Sequence, residues 1–314
     1  MIERPLDVLQ NHPIRKTKKQ KTAFITDVTA YAHAHHCSIR VEKGSLGARN
    51  IVIGDPSKAK YLITAHYDTP ASIGLPNLIT PNNPLTYILV QVFLVGILLA
   101  VSIGAACLMF VLTQNDSLMF SSWYVVYFGL LALMLFGPAN RHNANDNTSG
   151  VITVMEIFSS VPDNLRDRVA FVLFDLEEAG LVGSSSYQKM HKSETEKQIV
   201  LNLDCVGDGD VIQLVPVKKA KKDEKLLKNL STICSKTGHK EIRLRSKGFT
   251  AGSSDHKSFP YGVGIMAFRY KKGIGLYCGR IHTWRDTILE YTNVNVLRAA
   301  LISLIAKDAM NDYN

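Results

Sequence analysis

Residue types that bind divalent metals or move protons recur along this 314-residue chain. Two of them are histidines, His66 and His282, and five are carboxylates: Asp68, Asp146, Glu177, Glu178 and Asp204. Nitrogen and oxygen donors of this kind suit Zn²⁺ or a similar divalent ion, and more than three of them imply two metals. The adjacent glutamates allow a division of work, because one can bind metal while the other stays free as a general base.

Most of these residues follow a predicted strand. They are His66 and Asp68 after residues 61–65, the two glutamates after 168–175, and Asp204 at the end of 198–204. Asp146 precedes the N-terminus of a predicted helix, and His282 lies in a late loop. In open α/β sheets the functional groups gather just beyond the carboxyl ends of the strands. We therefore expect these side chains to meet at one edge of the sheet.

Six segments that contain these residues resemble the zinc peptidase family of the bacterial co-catalytic aminopeptidases. That family also holds glutamate carboxypeptidase and, as a one-zinc relative, glutaminyl cyclase. The segments are AHYDT, NANDNTSGV, FDLEEAGLVGSSSY, LNLDCVG, GSSDHKSF and IHTWRDT. They fall within residues 61–287, and no ligand position of the family pattern is missing.

The resemblance implies a site with two zinc ions per chain. Asp146 would bridge the two ions. His66 and Asp204 would complete one site, whereas Glu178 and His282 would complete the other. Carboxylate-rich ligation of this kind leaves coordination positions open for a substrate, as a catalytic site requires.

The same resemblance implies roles for residues that do not bind metal. Glu177 would be the general acid and base, and Asp68 would accept the second ring N–H of His66 and so fix its tautomer. Asp255 and His256 match a further family segment, for which positioning of the substrate and a structural role both remain open. Tyr277, in the neighbourhood 276–280, is a further candidate for substrate binding.

Outside an apolar block, the sequence alternates between helical and strand patterns. The predicted helices are residues 22–37, 150–161, 183–191, 225–236 and 294–309. The predicted strand segments are residues 38–54, 61–65, 168–175, 198–204, 241–245 and 263–270. Strands separated by helices favour an α/β fold with a mostly parallel central sheet flanked by helices, like that of the zinc exopeptidases.

The apolar block runs for 53 residues, from Leu85 to Gly137, and contains one charged residue, Asp116. As a helix, residues 85–112 would be about 42 Å long, which exceeds the hydrocarbon core of about 30 Å. Residues 118–137 are just long enough for a return crossing. Helices in soluble cores normally keep a polar face, and these segments have none. We therefore predict an inserted transmembrane hairpin of two helices, 85–112 and 118–137.

Small residues recur every four positions on the first helix, at Gly96, Ala100 and Gly104. This spacing lets helix backbones approach closely within a lipid bilayer. We expect the second helix of the hairpin to pack on this face. A homo-oligomer formed through the hairpin is the alternative.

We predict an integral membrane protein whose catalytic domain lies on the cytoplasmic side. The hairpin tip, residues 113–117, carries no Lys or Arg, whereas its flanks belong to a basic remainder, and cytoplasmic flanks carry the excess of cations. The N-terminus shows no apolar segment of a signal peptide. Five cysteines without a C-x-x-C pair agree with a reducing compartment.

The formal net charge of +9 would permit nucleic-acid binding. No zinc-finger, RNP or other readout motif accompanies the charge, so we predict no nucleic-acid partner. The basic runs at residues 15–21, 218–225 and 271–272 are either contacts for anionic lipid or solvated loops.

The hairpin interrupts the catalytic domain, which we expect to comprise residues 1–74 and 141–314. Between Asp68 and Asp146 lie 77 residues, and both flanks of the insertion carry predicted ligands. The active site should therefore border the membrane. The hypothesis that follows is a hydrophobic or membrane-associated peptide substrate.

The sequence favours a membrane-anchored zinc metallopeptidase, most simply an aminopeptidase. One alternative is an amidohydrolase or deacylase that acts on lipidated or non-peptide amides. Another is a transferase like glutaminyl cyclase with one zinc. A membrane interaction module without activity would have lost ligands or base, and none is lost here.

Overall fold

The computed structural model describes residues 1–75, 77–248 and 252–311. Its centre is one ten-stranded sheet, in which nine strands follow the order β1-β2-β4-β3-β5-β9-β6-β8-β7 and β10 pairs with β9. The strands are β1 (Ile39–Lys43), β2 (Arg49–Ile53), β3 (Tyr61–His66), β4 (Val169–Phe174), β5 (Ile199–Leu203), β6 (Val211–Pro216), β7 (Ser235–Thr237), β8 (Lys240–Leu244), β9 (Gly262–Lys271) and β10 (Gly275–Tyr277).

The α/β fold class expected from the sequence is confirmed, but the sheet is mixed and not mostly parallel: among the described residues, four strand pairings are parallel and five are antiparallel. Parallel pairing joins the four central strands β4, β3, β5 and β9, whereas β2 and β6 run antiparallel to their central neighbours. Every residue of β3 and of β4 is buried, which is the continuous apolar pattern of strands covered on both faces. The carboxyl ends of β3, β4 and β5 consequently lie side by side.

Nine α-helices lie within the described residues. They are α1 (Val8–Asn11), α2 (Lys18–Ala34), α3 (Pro84–Thr113), α4 (Asp116–Phe136), α5 (Gly150–Ser160), α6 (Val182–Met190), α7 (Lys192–Thr195), α8 (Glu224–Ser231) and α9 (Tyr291–Asn311). Alternate residues of β3 enter two cores. Ile63 packs with α2, α5 and α9 on one face of the sheet, whereas Leu62 packs on the other face with Tyr187 of α6.

The predicted helix 225–236 ends early, at Ser231. Its last predicted residues instead form β7, which turns through Gly238 and His239 into β8. Gly238 has a φ of +62°, and a two-residue hairpin turn requires such a left-handed residue. The turn chemistry therefore outweighs the helical pattern at this point. The strand β6 was not among the sequence-based predictions.

Both predicted hairpin segments are helices, and each is long and apolar enough to cross a membrane. Only 17% of the most apolar 18-residue stretch of α3 is buried inside the structure, and 0% of the corresponding stretch of α4 is buried. These helices are therefore not core helices of the α/β domain. Asn83 and Asn115 cap their N-termini, since each side chain accepts a backbone N–H three residues later.

The small-residue face of α3 does not pack on α4, contrary to the expectation from the sequence. Gly96, Ala100 and Gly104 are exposed, and a Cβ added at either glycine would meet no atom within 4 Å. The buried residues of α3 are Leu98, Ser102 and Ala106. This row lies on a different face of the helix from the glycine row, and α4 is the helix that packs on α3.

The basic run 15–21 is only partly a surface feature. Arg15 is completely buried and donates to the carbonyl oxygens of His12 and Tyr67 and to the hydroxyl of Thr148. Lys21 forms a buried ion pair with Asp175. These two cations therefore contribute to the interior of the domain and cannot contact lipid.

Candidate metal centre

The predicted ligands meet beyond the carboxyl ends of β3, β4 and β5, with Asp146 between two groups. Asp146 Oδ1 lies 3.4 Å from His66 Nε2, and Asp146 Oδ2 lies 3.0 Å from His282 Nε2. Asp204 Oδ1 is 3.7 Å from His66 Nε2, and Glu178 Oε2 is 3.8 Å from His282 Nε2. Two groups of three potential ligands therefore share Asp146, and each group faces one of its oxygens.

The spacing of the donor atoms fits zinc. Two ligands placed about 2.05 Å from a tetrahedral zinc ion are about 3.3 Å apart. The distances between His66, His282 and their carboxylate neighbours lie close to that value. Asp204 Oδ1 is buried and has no hydrogen-bond partner among the described residues. A cation would satisfy this oxygen, since buried polar atoms are normally paired.

Asp68 lies behind His66 and holds two parts of the site together. Its Oδ1 lies 3.5 Å from His66 Nδ1, the ring nitrogen that faces away from Asp146. Its two oxygens also accept the backbone N–H groups of Glu177, at 3.1 Å, and Glu178, at 3.2 Å. Although burial alone would raise the pKa of Asp68, its interaction with the nearby His66 ring holds it below its ordinary value. Asp68 therefore stays ionised and orients both His66 and the glutamate pair.

The segment that carries Asp146 is bonded to the end of β5. Asn147 donates to the carbonyl of Leu203 at 2.9 Å and accepts the N–H of Cys205 at 3.2 Å. Ser149 Oγ accepts the N–H of Val206 at 3.0 Å. These bonds flank Asp204 on both sides, so they set the position of Asp146 relative to Asp204.

Asp286 is a positioning residue that the sequence analysis did not identify. It is 1% exposed, and its two oxygens accept the N–H groups of Asn145 at 2.8 Å and Asp146 at 2.9 Å. Burial raises the pKa of Asp286 to about 7, with a further increase from the charge of Asp146. Its place four residues after His282, in the same motif, is the signal that could have identified it.

The site carries an excess of negative charge. Burial raises the pKa of Glu178 to about 8 and that of Glu177 well above its ordinary value. Burial would lower the pKa of His282, but the charges of Glu178 and Asp146 raise it to about 9. Carboxylates forced together in this way need compensating cations, and two divalent ions would supply them.

Five of the metal-type residues, His66, Asp146, Glu177, Glu178 and Asp204, line a cleft of about 700 Å³, a volume that includes the open solvent at its mouth. Apolar side chains line much of the rest of the cleft: Ile79, Pro81, Ile265, Met266, Phe268 and Ile281. His256 also lines the cleft, and its ring lies so close to Gly264 that a Cβ there would be 2.7 Å from it. Burial lowers the pKa of His256 to about 4, so a neutral imidazole borders the cleft.

The other two candidate substrate residues are placed differently. Asp255 is completely buried beside the carboxylate cluster, and burial raises its pKa to about 7. Tyr277 is not among the residues that line the cleft. Side chains alternate along β10, and Leu276 and Cys278 point into a buried cluster, so Tyr277 points to the opposite side.

Comparison with known proteins identifies the family. The model of "Peptidase family M28" matches residues 118–304, more than half of the chain. The matched region contains Asp146, the glutamate pair, Asp204 and His282. No curated protein sequence matches the chain significantly.

Solved structures share the fold over almost the whole chain. Porphyromonas gingivalis glutaminyl cyclase has a TM-score of 0.60 and 15% identity and covers 97% of each chain. A Zn-dependent exopeptidase from Parabacteroides distasonis has a TM-score of 0.59 and 12% identity, with 96% of each chain covered. A leucine aminopeptidase precursor from Bacteroides thetaiotaomicron has a TM-score of 0.57 and 14% identity, covering 96% of this chain and 95% of that one. The resemblance recognised from the six motifs is confirmed, and the chain belongs to peptidase family M28.

Proposed function

We propose that this protein is a membrane-anchored metallopeptidase with two zinc ions per chain, most simply an aminopeptidase. The observation that carries the proposal is Asp146, whose two oxygens face two separate groups of ligands. His66 and Asp204 would hold one ion, and Glu178 and His282 the other. Zinc ions bound there would polarise the scissile carbonyl and lower the pKa of water.

Glu177 would transfer the proton. Its backbone N–H is fixed by Asp68, and its side chain lies within reach of His66 and Glu178. The charge of two bound cations would lower the raised pKa of Glu177 towards neutrality. The ionised side chain of Glu177 could then accept a proton from water and return it to the leaving amine.

The apolar part of the cleft supports a hydrophobic side chain in the substrate. Such a side chain gains free energy when it leaves water for a pocket lined by groups such as Met266 and Phe268. The cleft would therefore favour apolar residues next to the scissile bond.

The two helices α3 and α4 support anchoring in the bilayer. They are apolar and mostly unburied in the structure. The tip between them has no Lys or Arg, whereas Arg141 follows the second helix, which supports a cytoplasmic side for the flanks. The exposed glycine face of α3 supports a homo-oligomer within the membrane. Candidate metal ligands lie on both sides of the hairpin in the sequence. This arrangement supports a peptide substrate that is hydrophobic or already associated with the membrane.

A one-zinc reaction of the glutaminyl-cyclase type is the second candidate. It is favoured by the fold, which Porphyromonas gingivalis glutaminyl cyclase shares along 97% of each chain. Against it, both His66 and Asp204 are present and face Asp146. Hydrolysis of lipidated or non-peptide amides would use the same site as the peptidase reaction.

We expect the detergent-solubilised, full-length protein to prefer apolar substrates. Acylated or strongly apolar peptides should be hydrolysed with at least about tenfold higher kcat/KM than short polar aminoacyl amides, because each buried methylene adds binding free energy. Mass spectrometry of the products, with and without a chelator, reports the bond, the chain end and the metal dependence. Equal efficiency on both sets would contradict a membrane-associated substrate, and activity unaffected by the chelator would contradict the zinc mechanism.

A further inference from the structure

The segment that leads from the metal centre into α3 is attached to the loop that carries His282. We call residues 71–75 and 77–83 the tether. Ile79 exchanges backbone hydrogen bonds with Cys278, at 2.8 and 2.9 Å, and the N–H of Ile73 donates to the carbonyl of His282 at 2.8 Å. A Cβ at Gly279 would lie 3.1 Å from Leu78 Cδ1, so the tether lies directly on this loop.

The tether also forms part of the cleft wall. Ile79 and Pro81 line the same cleft as His66, Asp146 and the glutamate pair. Ile79 packs against the buried cluster that includes Phe268 and Ile281, and both of these residues also line the cleft. Leu78, the residue before Ile79, is not among the lining residues. Side chains of neighbouring extended residues point to opposite sides, which accounts for the difference.

Very little chain separates this wall from the hairpin. Pro81 is three residues from Pro84, the first residue of α3, and three extended residues span at most about 11 Å. The intervening residues are held in place, because Thr80 Oγ1 donates to the carbonyl of Asn83 at 2.9 Å and Asn83 Nδ2 donates to the carbonyl of Ile274 at 3.2 Å. The wall is therefore a fixed surface at the base of the hairpin.

We propose that the tether determines side-chain specificity, with Ile79 as the residue that limits the size of the apolar side chain accepted. The proposal rests on the peptidase function proposed above. Ile79 is bonded through its backbone to Cys278, so its side chain stays in the wall while a substrate enters. A smaller residue at position 79 would lengthen the apolar pocket, and a larger one would shorten it.

The test compares Ile79→Ala and Ile79→Phe with a matched control, Leu78→Ala, in full-length protein. The substrates are the 4-nitroanilides of alanine, leucine and phenylalanine. We expect Ile79→Ala to raise the ratio of kcat/KM for the phenylalanine substrate to that for the alanine substrate by about tenfold. The substitution makes room for one or more methylenes in the pocket, and a difference of that size changes kcat/KM by about this factor. Ile79→Phe should lower the same ratio, and Leu78→Ala should leave it unchanged. A ratio that is the same in all three variants, or that Leu78→Ala shifts as much as Ile79→Ala does, would overturn the proposal.

A second measurement is independent of turnover. Binding of n-propylamine, n-butylamine and n-hexylamine, followed as the rise in Tm, reports the length of the apolar pocket in each variant. Ile79→Ala should shift the preference towards hexylamine, and Ile79→Phe should shift it towards propylamine. If wild-type protein hydrolyses no anilide but the amine preference still follows residue 79, the proposed aminopeptidase activity fails and the specificity role stands. An amine preference that is independent of residue 79 overturns the specificity role.

Discussion

We expect Glu177→Gln to lower turnover sharply and to leave the zinc content of the protein unchanged. The substitution keeps the size of the side chain and the backbone N–H that Asp68 accepts, but it removes the group that can take up a proton. General acid and base catalysis contributes about 10²- to 10⁴-fold to the rate, so kcat should fall by that factor. The measurements are kcat on an apolar peptide and zinc content by elemental analysis of the same preparation.

Zinc content is the decisive readout, because Glu177 also lies within ligand distance of His66 and Glu178. Glu178→Gln is the matched control: the neighbouring residue carries the same change, and Oε2 of Glu178 belongs to the group around His282. The control should lose zinc as well as activity. If Glu177→Gln loses as much zinc as the control, Glu177 is a ligand; if it keeps its activity, Glu177 is not the base.

Asp146→Asn should lose more zinc than any substitution confined to one of the two ligand groups. An amide has one oxygen instead of two and no negative charge, so it cannot face both His66 and His282 as the carboxylate does. We expect less than one zinc ion per chain and a loss of activity of at least about 10³-fold, since both the charge and the geometry of the site are lost.

The matched controls for Asp146→Asn each remove a ligand from one group. His66→Ala and His282→Ala should each keep one zinc ion, because the other group retains its three ligands. Circular dichroism of all three variants checks that the fold is intact. One zinc ion retained at full occupancy in Asp146→Asn would contradict the shared carboxylate.

The sequence predicted that the candidate ligands lie close together, because strand ends determine where most of them lie. His66 is the last residue of β3 and Asp204 follows β5, and these two strands are neighbours that run in parallel. Their carboxyl ends therefore lie at the same edge of the sheet. The motif resemblance then predicted which residues share a group, and the geometry of Asp146 agrees with it.

The features that the sequence did not predict depend on contacts between distant residues. Asp286 and Asn147 act through hydrogen bonds to residues brought near by folding, and such bonds leave no periodic pattern. Arg15 lies in a run of cations that is typical of a protein surface. It is nevertheless buried, where its guanidinium group donates hydrogen bonds to Tyr67, His12 and Thr148. Tyr277 lies between Leu276 and Cys278, whose side chains point into a buried cluster, so strand alternation points Tyr277 to the opposite side.

The sequence also did not predict which way the glycine face of α3 points. The spacing of Gly96 and Gly104 predicts close approach of some helix, and it does not say which one. Which face of α3 meets α4 is set by how the two helices pack on each other, and the spacing of small residues does not encode this. The row that is buried is Leu98, Ser102 and Ala106.

The number of zinc ions that restores activity to the chelator-treated, full-length protein tests the central claim most directly. Zinc is titrated into the protein while amino-acid release from an apolar peptide and cyclisation of an N-terminal glutamine are followed in parallel. Two equivalents of zinc per chain for full activity, with hydrolysis as the reaction, is the predicted result. Full activity at one equivalent, with cyclisation and no hydrolysis, would contradict a two-zinc peptidase.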